Sequence, residues 1–151
     1  SGSPGLETSI TGGNFGTIAV KPIGARAEVT VITYGATGRW IADNYESLFR
    51  QVDVVFEIFT FQLIHPVPIS HVERSVRKTK AVLVVEEGIE DFGWASEVIF
   101  NLNSRIEGLI ADRVGSLPVP IPSVKILEDK VLPSIDRVGN KLKKIFERRY
   151  G

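Results

Sequence analysis

Apolar positions along this chain recur at two periods, and the change from one to the other marks its elements. From Ile69 to Gly88 the sequence reads ISHVERSVRKTKAVLVVEEG. Val72 and Val76 stand four apart and give a helix one apolar stripe, while Arg74, Arg77 and Lys78 face water. Ser70 fits the N-cap of that helix, and Glu73, three residues on, fits its capping-box partner. Ala81 to Val85 is a continuous apolar, β-branched run too short for a helix, as in a strand covered on both faces. It ends at Glu86, Glu87 and Gly88, at the carboxyl end of a strand, where open α/β sheets place ligands and partners.

The same reading extends to the rest of the chain. Gly12 to Gly16 is a glycine-rich lead-in, and Thr17 to Val20 is a short edge strand broken by Pro22 and Gly24. Glu28 to Thr33 predicts a strand, Tyr34 to Gly38 a turn, and Arg39 to Phe49 a helix burying Trp40, Ile41, Tyr45 and Leu48. Val52 to Phe59 predicts a second buried strand, followed by an extended connection through Pro66 and Pro68. Asp91 to Leu102 predicts a helix with Trp94, Val98 and Leu102 four apart. Leu109 to Val114 is a further strand. Pro118, Pro120 and Pro122 force an extended loop, Ile126 to Val131 a short helix, and Ile135 to Arg149 a final amphipathic helix. This order argues for a largely parallel sheet with helices on both faces.

Composition narrows the function classes. At 151 residues and 43% hydrophobic content the chain suits one domain with a substantial core. Eighteen basic residues balance eighteen acidic ones, so no net field favours nucleic acid or an anionic membrane. The closing LKKIFERRYG is basic, but its apolar positions keep helical spacing, as on a solvated helix face. Cysteine is absent, which excludes disulfides and thiolate ligands. Apolar runs fall short of a membrane span. Residues 1–11 read as a cloning scar or linker, residues 12–151 as the domain. With no methionine, the chain reads as a segment of something longer.

Candidate chemistry is sparse. VTVITYGATGRW runs a strand into GATG and then a helix, as in a dinucleotide-binding turn, and Glu57 lies nineteen residues past Gly38, where a ribose-binding acid belongs. On that reading Gly35, Gly38 and Glu57 serve an independent nucleotide-binding enzyme. Against it, Ile41 stands where the third glycine should be, and a tight strand-to-helix turn explains the same residues. His65 and His71 join no cluster with metal-ligand spacing. Glu86 and Glu87, adjacent on a strand, point to opposite faces and suit a structural role, such as capping the next helix, better than an acid/base dyad.

Several stretches together resemble a known family. Ser75 to Gly88, with FGWASEV close behind, is similar to the C-terminal domain of transketolase-like, thiamine-diphosphate-dependent enzymes, nearest to the β subunit of pyruvate or branched-chain 2-oxoacid dehydrogenases. Arg113, Val114, Pro120, Ile121 and Pro122 match that family's proline loop, and Leu127, Glu128 and Pro133 the segment after it. The likeness runs from about Gly16 to Ile145. Two family aspartates are replaced, by Pro68 and Leu117.

The resemblance implies a three-layer α/β sandwich, with a mostly parallel five-stranded sheet and one antiparallel edge strand. It implies a non-catalytic assembly and docking domain, with no catalytic, cofactor-binding or metal residue of its own. The parent would be an intracellular enzyme of the cytoplasm or mitochondrial matrix, holding thiamine diphosphate and Mg²⁺ in other domains and decarboxylating a 2-oxoacid with acyl transfer to lipoamide. Its partners would be a sister β subunit, an α subunit and the dihydrolipoyl acyltransferase core, with no nucleic acid and no membrane. Phe92 and Trp94 are partner-binding candidates because aromatics dominate interface energetics. Pro118, Pro120 and Pro122 are candidates because a stiff loop loses little entropy on docking. The same residues would serve equally as core packing.

Overall fold

The computed structural model describes residues 2–89, 93–116 and 135–151. Six strands form one sheet in the order β1-β2-β4-β3-β5-β6. They are β1 (Gly5–Thr11), β2 (Thr17–Ile23), β3 (Val29–Tyr34), β4 (Phe56–Phe61), β5 (Ala81–Ile89) and β6 (Ile110–Ser116). β3 pairs parallel with β4 and β5, and β5 with β6. β2 pairs antiparallel with both β1 and β4, so it alone runs against the rest. The helices are α1 (Thr37–Asp43), α2 (Tyr45–Val52), α3 (Glu73–Thr79), α4 (Trp94–Asn103) and α5 (Ile135–Tyr150).

Strand alternation divides the core between the two faces of the sheet. Val29 and Val31 of β3, with Ala81, Leu83 and Val85 of β5, meet Ile41, Leu48, Val138, Leu142 and Ile145 under α1, α2 and α5. Ile32, Val82 and Val84 face the other way and meet Val76 of α3 and Trp94, Val98 and Leu102 of α4. Helices on both faces of a largely parallel sheet are what the sequence pattern predicts, and the three-layer α/β sandwich is what the family resemblance implies. A buried hydroxyl triad ties α3 to the sheet: Thr30 Oγ1 lies 2.7 Å from Ser75 Oγ and 2.8 Å from Thr79 Oγ1. Buried hydroxyls need such partners, because each one unpaired costs about 1–3 kcal/mol.

Three details depart from expectation. The sheet has six strands, not five, because Gly5–Thr11 pairs residue for residue with β2 in a hairpin. The antiparallel strand therefore lies one place in from the edge. The single helix expected over Arg39 to Phe49 is two, broken at Asn44, whose side-chain amide donates to the Trp40 carbonyl at 2.8 Å. The capping box at Ser70 does not form: Ile69–His71 is a 3-10 turn, and α3 starts after Val72 with no side-chain cap. The short helix expected at Ile126 to Val131 lies outside the described residues.

Candidate functional site

The parallel strands reverse their order of addition between β3 and β5. β3 leads into α1 and α2 on one face, and β5 into α4 on the other. Diverging connections open a crevice at the carboxyl ends of two such strands, the usual ligand position in open α/β sheets. A cleft of about 330 Å³ lies there, lined by Tyr34, Ile64, His65, Glu86, Gly93, Trp94 and Glu97.

Glu86 shares the face of Val82 and Val84, and so points beneath the start of α4. It is only 1% exposed. Its Oε1 accepts the Ala95 amide at 3.0 Å. That bond satisfies one of the free N–H groups of a helix that begins after Gly93, a residue at φ 87°. Burial pushes the Glu86 carboxyl above the usual range, opposed by the Ala95 amide, the charge of Arg113 and the Trp94 amide. Among the described residues, the second oxygen, Oε2, has no hydrogen-bond partner, and neither has Nε1 of Trp94; both atoms are buried.

Trp94 is 7% exposed. Its ring meets Tyr34 edge-on at 4.6 Å and Phe61 at 6.2 Å. At the outer side of the cleft His65 Nδ1 lies 3.5 Å from Glu97 Oε2. The second histidine is elsewhere, its Nδ1 2.7 Å from the buried Thr17 hydroxyl.

The residues proposed for a dinucleotide site are not brought together. Gly35 and Gly38 follow the carboxyl end of β3, whereas Glu57 is the second residue of β4 and pairs with Thr30 near the opposite end of the sheet. Gly38 is required for packing: a Cβ there would fall on Thr60 Oγ1. Glu57 instead lines a groove of about 570 Å³ with Lys21, Arg26, Arg74 and Lys78. Nor is Trp94 a free anchor, since its own chain encloses it. Phe92, Pro118, Pro120 and Pro122 lie outside the described residues. The capping role expected at the end of β5 falls to Glu86.

Sequence reasoning missed the cleft itself. Only Glu86 carried a signal, as a charged residue ending an apolar strand. Tyr34, Ile64 and Glu97 converge on it through sheet topology, which no local spacing reveals. The described residues do not suit thiamine diphosphate and Mg²⁺. The cleft carries two carboxyl groups, Glu86 and Glu97, that repel a diphosphate, and no group of three or more His, Asp or Glu among the described residues could hold a metal ion. No helix among them is long and apolar enough to cross a membrane.

Comparison with known proteins agrees with the fold. The rat mitochondrial pyruvate dehydrogenase E1 component subunit beta is 33% identical over 95 residues, covering 58% of this chain and 26% of that protein. The Saccharomyces cerevisiae subunit is 24% identical over 122 residues, covering 78% and 33%. The chain thus spans between a quarter and a third of the length of these relatives. A split-gene transketolase, solved as an inactive beta4 tetramer, superposes with a TM-score of 0.66 at 20% identity over 83% of this chain and 41% of that one, a likeness of fold. The family model described as transketolase, C-terminal domain, matches residues 19–138. The chain belongs to the transketolase C-terminal domain family.

Proposed function

We propose that this domain is a non-catalytic assembly and docking unit of the β subunit of a thiamine-diphosphate-dependent 2-oxoacid dehydrogenase. The parent's reaction is oxidative decarboxylation of pyruvate or a related 2-oxoacid, with thiamine diphosphate and Mg²⁺ held outside this domain. Its partners are a sister β subunit, an α subunit and the acyltransferase core. The names of the relatives support the parent, and their mitochondrial location supports an intracellular setting for it.

The observation that carries the assembly role is Phe100, which is 73% exposed on α4. The opposite stripe of that helix, Trp94, Val98 and Leu102, is fully engaged in the core. A large aromatic presented to water on a helix already anchored by its other face is suited to a partner. Ile64, 40% exposed, adds apolar surface across the cleft from α4. Phe92 and the Pro118–Pro122 loop remain proposed contacts on sequence grounds. The test is Phe100→Glu: it should lower the molar mass of the chain in solution and leave the melting temperature unchanged. An unchanged mass contradicts the assignment of this surface.

A further inference from the structure

We propose that the groove between α3 and β2 binds a small anion of about three negative charges, carried on carboxylate or phosphoryl groups. Arg74 and Lys78 of α3 line it on one side, and Lys21 of β2 with Arg26 of the following connection on the other. Glu57 of β4 is the one carboxylate that lines it among the described residues, so four positive charges stand against one negative. The adjoining hollow adds one charge of each sign, Arg149 and Glu28, and leaves that surplus unchanged. The groove is built within one chain and does not depend on the assembly reading.

The surplus is local, because the chain as a whole has equal numbers of acidic and basic residues. Elsewhere those charges pair: Glu73 takes Arg77 and Arg105, Asp112 takes Lys141, and Glu46 takes Arg50. None of the four groove cations has an ion pair among the described residues. Lys21 Nζ instead stands 5.6 Å from the centre of the Phe59 ring, beside a residue that itself lines the groove. Each residue turns a helix by about 100°, so Arg74 and Lys78 lie round α3 from Glu73 and Arg77, which face Arg105. They stand four apart, a spacing at which like charges destabilise a helix. A cleft lined by one sign of charge focuses its field and concentrates ions of the other sign. Its volume, about 570 Å³, is within the range of small-molecule sites.

NMR titration of the chain at constant ionic strength tests this with acetate, succinate, tricarballylate and pyrophosphate, the first three being a mono-, a di- and a tricarboxylate. Tricarballylate should shift backbone amides saturably in β2, the connection after it and α3. Succinate should bind about five-fold more weakly, the factor of one charge pair in water, and acetate more weakly again. Pyrophosphate binding more tightly than tricarballylate assigns the groove to phosphoryl groups, and the reverse order assigns it to carboxylates. Arg74→Gln and Lys78→Gln, both at exposed positions, should each weaken binding about five-fold. Lys143→Gln removes the same charge from an exposed position on α5 and should leave binding unchanged. Three results overturn the proposal: shifts that saturate with neither tricarballylate nor pyrophosphate, acetate binding as tightly as tricarballylate, or Arg74→Gln and Lys78→Gln weakening binding no more than Lys143→Gln.

Discussion

Glu86 Oε1 accepts the amide of Ala95 at 3.0 Å, so a side chain of β5 caps the helix that follows that strand. One carboxyl therefore fixes the direction of α4 relative to β5. Its burial makes this cap sensitive to pH. Because the folded state raises the Glu86 pKa, it binds a proton more readily than the unfolded chain. The stabilisation of the protonated form is complete below the ordinary glutamate pKa, about 4.3, and is lost as pH rises through the raised folded value. Urea unfolding from acid to neutral pH should show Glu86→Gln gaining on the wild type as pH rises, since Gln keeps the acceptor and removes the buried charge. Parallel curves would contradict this. Glu86→Ala, which loses the cap, should cost about 0.5–2 kcal/mol.

Glu73 has the opposite sign. Hydrogen bonds from Arg77 and then Arg105 hold its carboxyl below the usual range, at 2.8 Å and 3.1 Å. Its contribution is complete above the ordinary glutamate pKa and is lost as pH falls through the lowered folded value. Glu73→Gln should therefore be less stable than the wild type at neutral pH and equal to it in strong acid. High salt should shrink the neutral-pH gap, because the pair is partly exposed.

Tyr45 ties α2 to the sheet. Its hydroxyl donates to the Phe56 carbonyl at 2.5 Å and accepts the Phe56 amide at 2.9 Å, and the two rings stack at 4.0 Å. Burial raises the phenol to about 12. Tyr45→Phe keeps the ring and leaves a backbone amide and carbonyl unpaired, so denaturant unfolding should show a loss of about 1–3 kcal/mol. Spectrophotometric titration should find one tyrosine that ionises well above pH 10 in the folded chain.

Gly38 is held against Thr60, with no room for a Cβ. Gly38→Ala should destabilise the chain by about 1–3 kcal/mol, and Gly38→Ala with Thr60→Ala should recover part of the loss. Addition of NAD(H) should leave the melting temperature unchanged, since the turn is closed by packing and Glu57 is at the far end of the sheet. A dinucleotide-dependent rise would reopen that reading.

The parts that were legible in the sequence are those where one-dimensional spacing and burial coincide. Ala81 to Val85 is buried on both faces, and Val72 with Val76 lies inward, as does the Trp94, Val98, Leu102 stripe. The first hairpin strand was not legible, because Gly5–Thr11 is solvated along most of its length and carries no apolar alternation. Its order comes from pairing with β2. The second buried strand starts at Phe56, four residues after the apolar run begins at Val52, because that run continues from the end of α2 through the left-handed Asp53 at φ 53°. That offset put Glu57 at the wrong end of β4. The cleft was hidden for a related reason: its residues come from β3, β5, α4 and the loop after β4, brought together by strand order.

The central claim, that this domain assembles, is tested most directly by light scattering of the unaltered chain from low to high micromolar concentration. The account predicts a mass that rises toward at least twice 16.6 kDa as concentration increases. A mass that stays at that of one chain throughout would contradict it.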